Sequence, residues 1–516
     1  MSEHTDVILE NAEVITCDSS NPRAEAVALR YGRIQLVGTR AEVAGLKTSR
    51  TRVIDCRHKT LVPGFIDAHC HFFALVRKFL SLDLSPSCAE SIQDIQSILR
   101  RQAAGTPPGT WITGTDYNDF YLAEKRHPLR QDLDAASTQH PILIVHRSMH
   151  ACVLNSLAMQ TIGITNETEE PPGGLIDRDL ETGEPNGLLF EMLDYIHARM
   201  EKITSRQELD RAIQAVDRHY LSQGITSLGE ATVTNDIFQW ETYQKMITAG
   251  QIHSRLNMMP GMNFMVQFQA AGLLSGTGDN HLRVGPLKIV LNETTGSLRP
   301  TQAELNKIVL EAGWAGFQVA IHAVEISTVT AAVQALEQAR RIHRQIDPRY
   351  RLEHCSECPP ELIKRLSDLQ AVIVSQPSFL YFSGERYLAQ VRPEAQPYLY
   401  PFHSWLRSGL TAVGSSDSPV VPVNPLMGIY SAVTRQAETG QTVLPAERVT
   451  PEQALPMFTL NAAYAAFEEP VKGSITPGKL ADLVLLNANP LTCPPEQIKA
   501  IEVEMTLIDG NVVWEK

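Results

Sequence analysis

The sequence predicts an α/β protein: a (β/α)8 TIM barrel, a composite β-rich domain drawn from both termini, and a subdomain inserted after the first barrel strand. Three observations predict it. Short apolar, strand-like runs alternate with amphipathic helical stretches through the middle of the chain. Both ends carry short alternating strands separated by turn residues. About 150 residues separate the first strand-like run from the second, far more than a βα connection uses.

The N-terminal runs are Val7-Ile-Leu9, Val14-Ile-Thr16, Ala26-Val-Ala-Leu29, Ile34-Gln-Leu-Val37 and Thr51-Arg-Val-Ile54, broken by turns such as Tyr31-Gly-Arg33. At the other end, Ala481–Leu486 reads as a strand and Val503–Trp514 as a hairpin about Asp509-Gly-Asn511. These ends, residues 1–60 and 470–516, are expected to build one β domain around a barrel at 61–469. The barrel strands are expected at 61–68, 224–231, 253–260, 284–292, 317–323, 350–354, 371–376 and 411–416. Amphipathic helices fall between many of them, as at 301–315, 328–343 and 359–366. The long first gap places an inserted subdomain at about 75–215, with its own strand at Pro141–Val145 and a Gly/Pro run at Glu170–Gly174.

Composition narrows the class. Hydrophobic residues at 43% and charged residues at 20% fit a soluble globular chain. The net charge of −13 argues against a nucleic-acid surface. No stretch approaches the roughly 20 apolar residues that span a bilayer. The start, Met1-Ser-Glu-His-Thr-Asp6, has no signal pattern, so a cytoplasmic setting is the default expectation. Eight scattered cysteines make no disulfide framework, and Cys355-Ser-Glu-Cys358 lacks the second pair that a zinc knuckle needs.

The chemistry concentrates at strand ends. Val62–His71 closes on Ala68-His-Cys-His71, and residues two apart in a strand face one side, so His69 and His71 can share a metal. His322 ends Gly316–His322, His354 ends Tyr350–His354, and Asp417 follows Leu410–Ser416. Alone, each reads more readily as a core histidine or a helix cap. Together they form one set of ligand-type side chains at the face where such barrels carry their active sites. Lys288 lies in the apolar run Val284–Leu291, where a charged head is costly. Either its neutral amine takes up carbon dioxide to give a carbamate able to bridge two metals, or its head reaches solvent or a carboxylate such as Glu293.

These motifs resemble the amidohydrolase superfamily and, within it, the amidohydrolase-3 (YtcJ-like) family. The resemblance rests on Pro63–His71, Arg351-Leu-Glu-His354, Gly414–Pro419, Gly473–Val484, Ser148–Ser156 and Gly224–Ser227. It implies that His69 and His71 bind the more buried metal. It also implies that Lys288 is a carboxylated lysine (N6-carboxylysine) and that His322 and His354 serve a second metal. Asp417 would bind metal and carry the proton, and His150 would face substrate. The cofactor implied is one or two divalent ions, zinc first. The partner implied is a small-molecule substrate, and the family implies a homodimer. Two motifs depart from the family pattern: Asn292-Glu-Thr294 follows Lys288, and His322-Ala-Val-Glu325 replaces the usual His-Gly-Asp start. The second resembles deaminases, in which Glu325 would shuttle a proton.

The implied activity is hydrolysis of a non-peptide carbon–nitrogen bond (amide, formamide, carbamate, urea or cyclic imide) by metal-activated water. One alternative is a mononuclear deaminase of an aminated heterocycle. The other is a non-catalytic scaffold, which should have lost several of the ligand positions that are filled here. Trp111, Tyr117, Phe120, Phe379, Tyr381 and Phe382 either line an apolar substrate pocket or pack the insertion.

Overall fold

The computed structural model describes residues 5–171, 173–200, 205–293, 296–343 and 347–516. Met1 to His4, Pro172 of the Gly/Pro run and Thr294 lie outside the described residues. The chain divides into two compact units, one of residues 1–71, 217–291 and 300–516, the other of residues 72–216 and 292–299.

The first unit is built on parallel strands. They are β1 (Phe65–Cys70), β2 (Ile225–Glu230), β3 (Arg255–Met258), β4 (Leu282–Val284), β5 (Leu287–Val290), β6 (Val319–Ala323), β7 (Arg351–His354), β8 (Val372–Ser375) and β9 (Thr411–Gly414). They pair in two sheets, ordered β4-β3-β2-β1 and β5-β6-β7-β8-β9, with every pairing parallel. Backbone bonds run between the sheets at both margins. Lys288 N donates to Pro260 O at 2.8 Å, and Asp417 N donates to His69 O at 2.8 Å. Parallel strands buried on both faces read as near-continuous apolar runs, as these do.

Helices follow several of these strands. Thr301 caps Gln302–Ala315 with a reciprocal capping box through Glu304, which satisfies two otherwise orphaned donors. Ile326–Ile342 and Pro360–Asp368 follow β6 and β7, close to the expected spans.

Two expected strands are each two strands. The run 61–68 divides into Thr60–Pro63 and β1, and the run 284–292 follows β4 with β5. Glycines stand at both breaks. A Cβ on Gly64 would lie 2.3 Å from Thr226 Oγ1, and one on Gly285 would lie 2.2 Å from Asn257 Oδ1. Only glycine lets the chain pass this close as it changes partners.

Thr60–Pro63 belongs to a six-stranded sheet that joins both chain ends. Its order is Asn511–Glu515, Val503–Ile508, Leu483–Leu486, Thr60–Pro63, Glu13–Ile15 and Arg23–Ala24. A second sheet places Arg33–Gly38, Ala26–Arg30, Val7–Glu10 and Arg52–Asp55 side by side. Leu9, Val14, Val27, Leu61, Leu483 and Leu507 share one apolar core.

Arg255 on β3 ties the parallel strands to this region. It is 1% exposed and donates to both Asp482 oxygens, at 2.7 and 2.8 Å, and to Asp509 Oδ1 at 2.6 Å. Removing one partner of a buried pair leaves an uncompensated charge. Asp482→Ala is therefore expected to cost about 3–5 kcal/mol, read as a lowered urea midpoint. A midpoint equal to that of the wild type would contradict this role.

The second unit carries a mixed six-stranded sheet ordered Leu175–Arg178, Pro185–Phe190, Ala151–Leu154, Ile142–His146, Ile112–Tyr117 and Leu82–Asp83. Trp111 and Tyr117 are buried in its cores, so these two aromatics pack the unit. Among the described residues, no helix is long and apolar enough to cross a membrane.

Candidate metal centre

Three expected ligands meet at the ends of β1 and β9. His69 is the fifth residue of β1, His71 directly follows the strand, and Asp417 lies three residues past β9. One ligand atom from each lies within 4.8 Å of the others. His71 Nε2 is 3.1 Å and His69 Nε2 is 3.6 Å from Asp417 Oδ1. Two backbone bonds set this register: Asp417 N to His69 O, and His71 N to Ser418 O, each 2.8 Å. The buried Asp67 carboxylate adds a third tie, accepting from Ser416 N at 2.9 Å and Ser416 Oγ at 2.5 Å.

His354 ends β7 beside this group. Its ring centroid lies 4.9 Å from that of His69 and 4.4 Å from that of His322, which comes from β6. Its Nδ1 is 4.0 Å from Asp417 Oδ2. His354 and Asp417 both have positive φ, 70° and 56°. Non-glycine residues pay for that conformation, and it recurs where a side chain must be aimed.

Lys288, on β5, is 2% exposed, and its Nζ donates to His69 Nε2 at 3.1 Å. Its head therefore does not escape to solvent. Burial pushes its amine down to about 8, so a neutral, reactive form is within reach near neutral pH.

The hydrogen bonds behind the histidines decide their tautomers. His69 Nδ1–H donates to Glu353 Oε2 at 2.5 Å, because a carboxylate can only accept. Thr232 spends its hydroxyl proton on Glu230 Oε1 at 2.6 Å, so its oxygen accepts from His71 Nδ1–H at 3.0 Å. His354 Nδ1–H donates to Gln376 Oε1 at 2.9 Å, while Gln376 Nε2 donates to Ser415 Oγ at 3.0 Å. All three imidazoles are thus protonated on Nδ1 and keep the Nε2 lone pair. Burial, with the neighbouring Lys288 charge, holds His69 well below the usual histidine value, and burial also lowers His354. Burial opposes ionisation of Asp417, yet the close His71 ring and the adjacent imidazoles hold its carboxyl well below the usual range. Neutral imidazole nitrogens and one ionised carboxylate are the donor set of a divalent cation, and of zinc in particular. On this chemistry the residues fit the ion.

Glu325 and His150 are not members of this described group. Glu325 precedes helix Ile326–Ile342 and is exposed, and its carboxylate accepts from Thr328 Oγ1 at 3.5 Å. His150 lies in the second unit, where its ring is half-exposed and Nδ1 is 2.9 Å from Glu191 Oε1. Cys355 and Cys358 are buried free thiols, and burial raises the Cys355 thiol well above its usual value. Among the described residues, the metal-type group is His69, His71 and Asp417, and the cysteine pair is not part of one.

Sequence reasoning missed the residues behind the ligands: Glu353, Arg351, Thr232, Glu230 and Gln376. A signal existed for two of them. Arg351 and Glu353 are opposite charges two apart in a short buried strand, and that is costly unless they are paired with each other or with a site.

Comparison with known proteins agrees with this architecture. The model of the amidohydrolase family matches residues 52–514. The chain is similar to an N-substituted formamide deformylase of Arthrobacter pascens, 30% identical over 545 residues and covering 100% of this chain and 99% of that one. It is similar to the putative amidohydrolase YtcJ of Bacillus subtilis (strain 168), 25% identical and covering 98% of each. Its fold is like that of an uncharacterized metal-dependent hydrolase from Pyrococcus horikoshii OT3, with a TM-score of 0.76 at 19% identity, over 95% of this chain and 99% of that one. With the family model spanning nearly its whole length, the chain belongs to the amidohydrolase family.

Proposed function

We propose that the chain is a metal-dependent hydrolase of a non-peptide carbon–nitrogen bond, and that an N-substituted formamide is the first substrate to test. The observation that carries this is the convergence of two Nε2 lone pairs and the Asp417 carboxylate on one point. The similarity to a formamide deformylase over the full length supports the choice of bond.

In this reading the two parallel sheets close as one (β/α)8 barrel at 61–469. Residues 1–60 and 470–516 form the composite β domain, and 75–215 is the insertion. His69, His71 and Asp417 would hold an ion, and His354 and His322 would serve a second. Lys288 would add to carbon dioxide through its neutral nitrogen, losing one proton, to give a carbamate anion whose oxygens could serve as further donors. This replaces an ammonium facing His69 with a negative oxygen donor, which favours the cations.

A bound divalent cation supplies Lewis acidity, bringing the pKa of water from 15.7 towards ~7. The protein handles the rest. Asp417, ionised and 3.1 Å from His71 Nε2, accepts the proton of the water that attacks the carbonyl carbon. It then returns that proton to the nitrogen as the carbon–nitrogen bond breaks. A formamide and water thereby give formate and an amine. With their Nε2 lone pairs given to a bound ion, the two histidines would not compete for that proton.

The experiment is turnover of purified, zinc-loaded protein on N-substituted formamides, N-acyl amines and aminopyrimidines. Amine and formate, or amine and another carboxylate, are the expected products. Ammonia from an amino-heterocycle with no amide cleaved would overturn the reading. The deaminase alternative also makes a separate demand on Glu325. Because that carboxylate is exposed and bonded to Thr328, Glu325→Gln is expected to leave kcat within about tenfold, whereas an essential proton shuttle would cost about 10²–10⁴-fold.

A further inference from the structure

We infer that Glu353 is the positioning residue of the metal centre: it locks His69 in the tautomer that can bind the ion and makes it the stronger of the two β1 ligands. This inference rests on the metal-centre reading above.

Glu353 is fully buried in the middle of β7 and has no direct role among the converging donors. One of its oxygens accepts from His69 Nδ1–H at 2.5 Å. Arg351, two residues earlier and so on the same side of the strand, grips it from behind. Arg351 Nε donates to Oε1 at 2.9 Å and its terminal nitrogen donates to Oε2 at 3.1 Å. That terminal nitrogen also donates to Ala68 O at 3.0 Å, the carbonyl immediately before His69. The guanidinium therefore aligns the carboxylate and fixes the ligand's own backbone at once.

The consequence follows from proton counting. A neutral imidazole has one N–H, and His69 is buried with a donor, Lys288 Nζ, facing Nε2 and an acceptor, Glu353, facing Nδ1. With the acceptor in place, the proton stays on Nδ1 and the lone pair points at the ion. Without it, the proton is free to move to Nε2 and block the ligand position.

The two β1 ligands are not held alike. His69 donates directly to a carboxylate, while His71 donates to the Thr232 hydroxyl, which passes its own proton to Glu230. An anion in direct contact raises imidazole basicity more than a neutral oxygen does. Glu353 is thus expected to matter more for metal affinity than Thr232.

The test measures zinc affinity by competition with a chromophoric chelator, on the wild type, Glu353→Gln and Thr232→Val. Glu353→Gln is expected to weaken binding about 10–100-fold, and Thr232→Val by less. Equal affinity of Glu353→Gln and wild type would overturn the inference, as would a larger loss in Thr232→Val. If the wild type itself takes up no divalent ion, the metal-centre reading fails instead, so the two failures are distinguishable. Glu353→Gln leaves Arg351 without its charge partner, and the variant can fail to fold. A second measurement therefore uses wild-type protein labelled with nitrogen-15 histidine, with His69 assigned by its loss in His69→Asn. The zinc-loaded spectrum is expected to show His69 protonated at Nδ1 and bound through Nε2. Binding through Nδ1 would overturn the inference, and a purely structural role for Glu353 would not set either signal.

Discussion

Asp417→Asn is expected to lower kcat by about 10²–10⁴-fold, the range for removal of a positioned general acid–base. The amide keeps the size and hydrogen-bonding reach of the carboxylate but cannot take up a proton at neutral pH. Its nitrogen would also face His71 Nε2, where the carboxylate now lies 3.1 Å away. The backbone bonds from Asp417 N to His69 O and from His71 N to Ser418 O are untouched by the change, so the site should keep its shape. Circular dichroism checks that the fold is intact, and steady-state kinetics on the best formamide gives the loss. A variant that folds and turns over within about tenfold of wild type would show that the proton moves by another route.

The second large effect is on the ion itself. His69→Ala removes the most buried imidazole of the group and leaves Glu353 and Lys288 facing an emptied position. The variant is expected to lose its metal on dialysis and to be inactive, and metal analysis reads the first of these directly. Chelation of the wild type should give the same inactive state, and zinc should restore it. Retention of stoichiometric metal in His69→Ala would place the ion elsewhere.

The proposed donors were legible in the sequence because they stand where apolar strands end. Period-two spacing put His69 and His71 on one side, and both strand exits that carry His354 and Asp417 lie beside them. The strand boundaries were less legible. The runs 61–68 and 284–292 are mostly apolar, and hydrophobicity does not record where a strand changes partners. The informative residues were Gly64 and Gly285, whose missing Cβ atoms admit Thr226 and Asn257. Glu325 shows the converse. Its spacing from His322 resembles that of a proton shuttle, and it is exposed just before the helix that starts at Ile326. The residues behind the ligands were hidden for a different reason. His69 and Glu353 are 284 positions apart, and only the packing of β7 near β1 brings the carboxylate to the imidazole.

In the proposed reaction, water activated at the His69, His71 and Asp417 position breaks a carbon–nitrogen bond. Its most direct test is formate release from an N-substituted formamide in oxygen-18 water, by metal-free protein and by the same protein reloaded with zinc. Only the reloaded protein is expected to turn over, in proportion to bound zinc, and the formate is expected to carry one solvent oxygen. Equal turnover by the metal-free protein, or formate with no solvent oxygen, would contradict it.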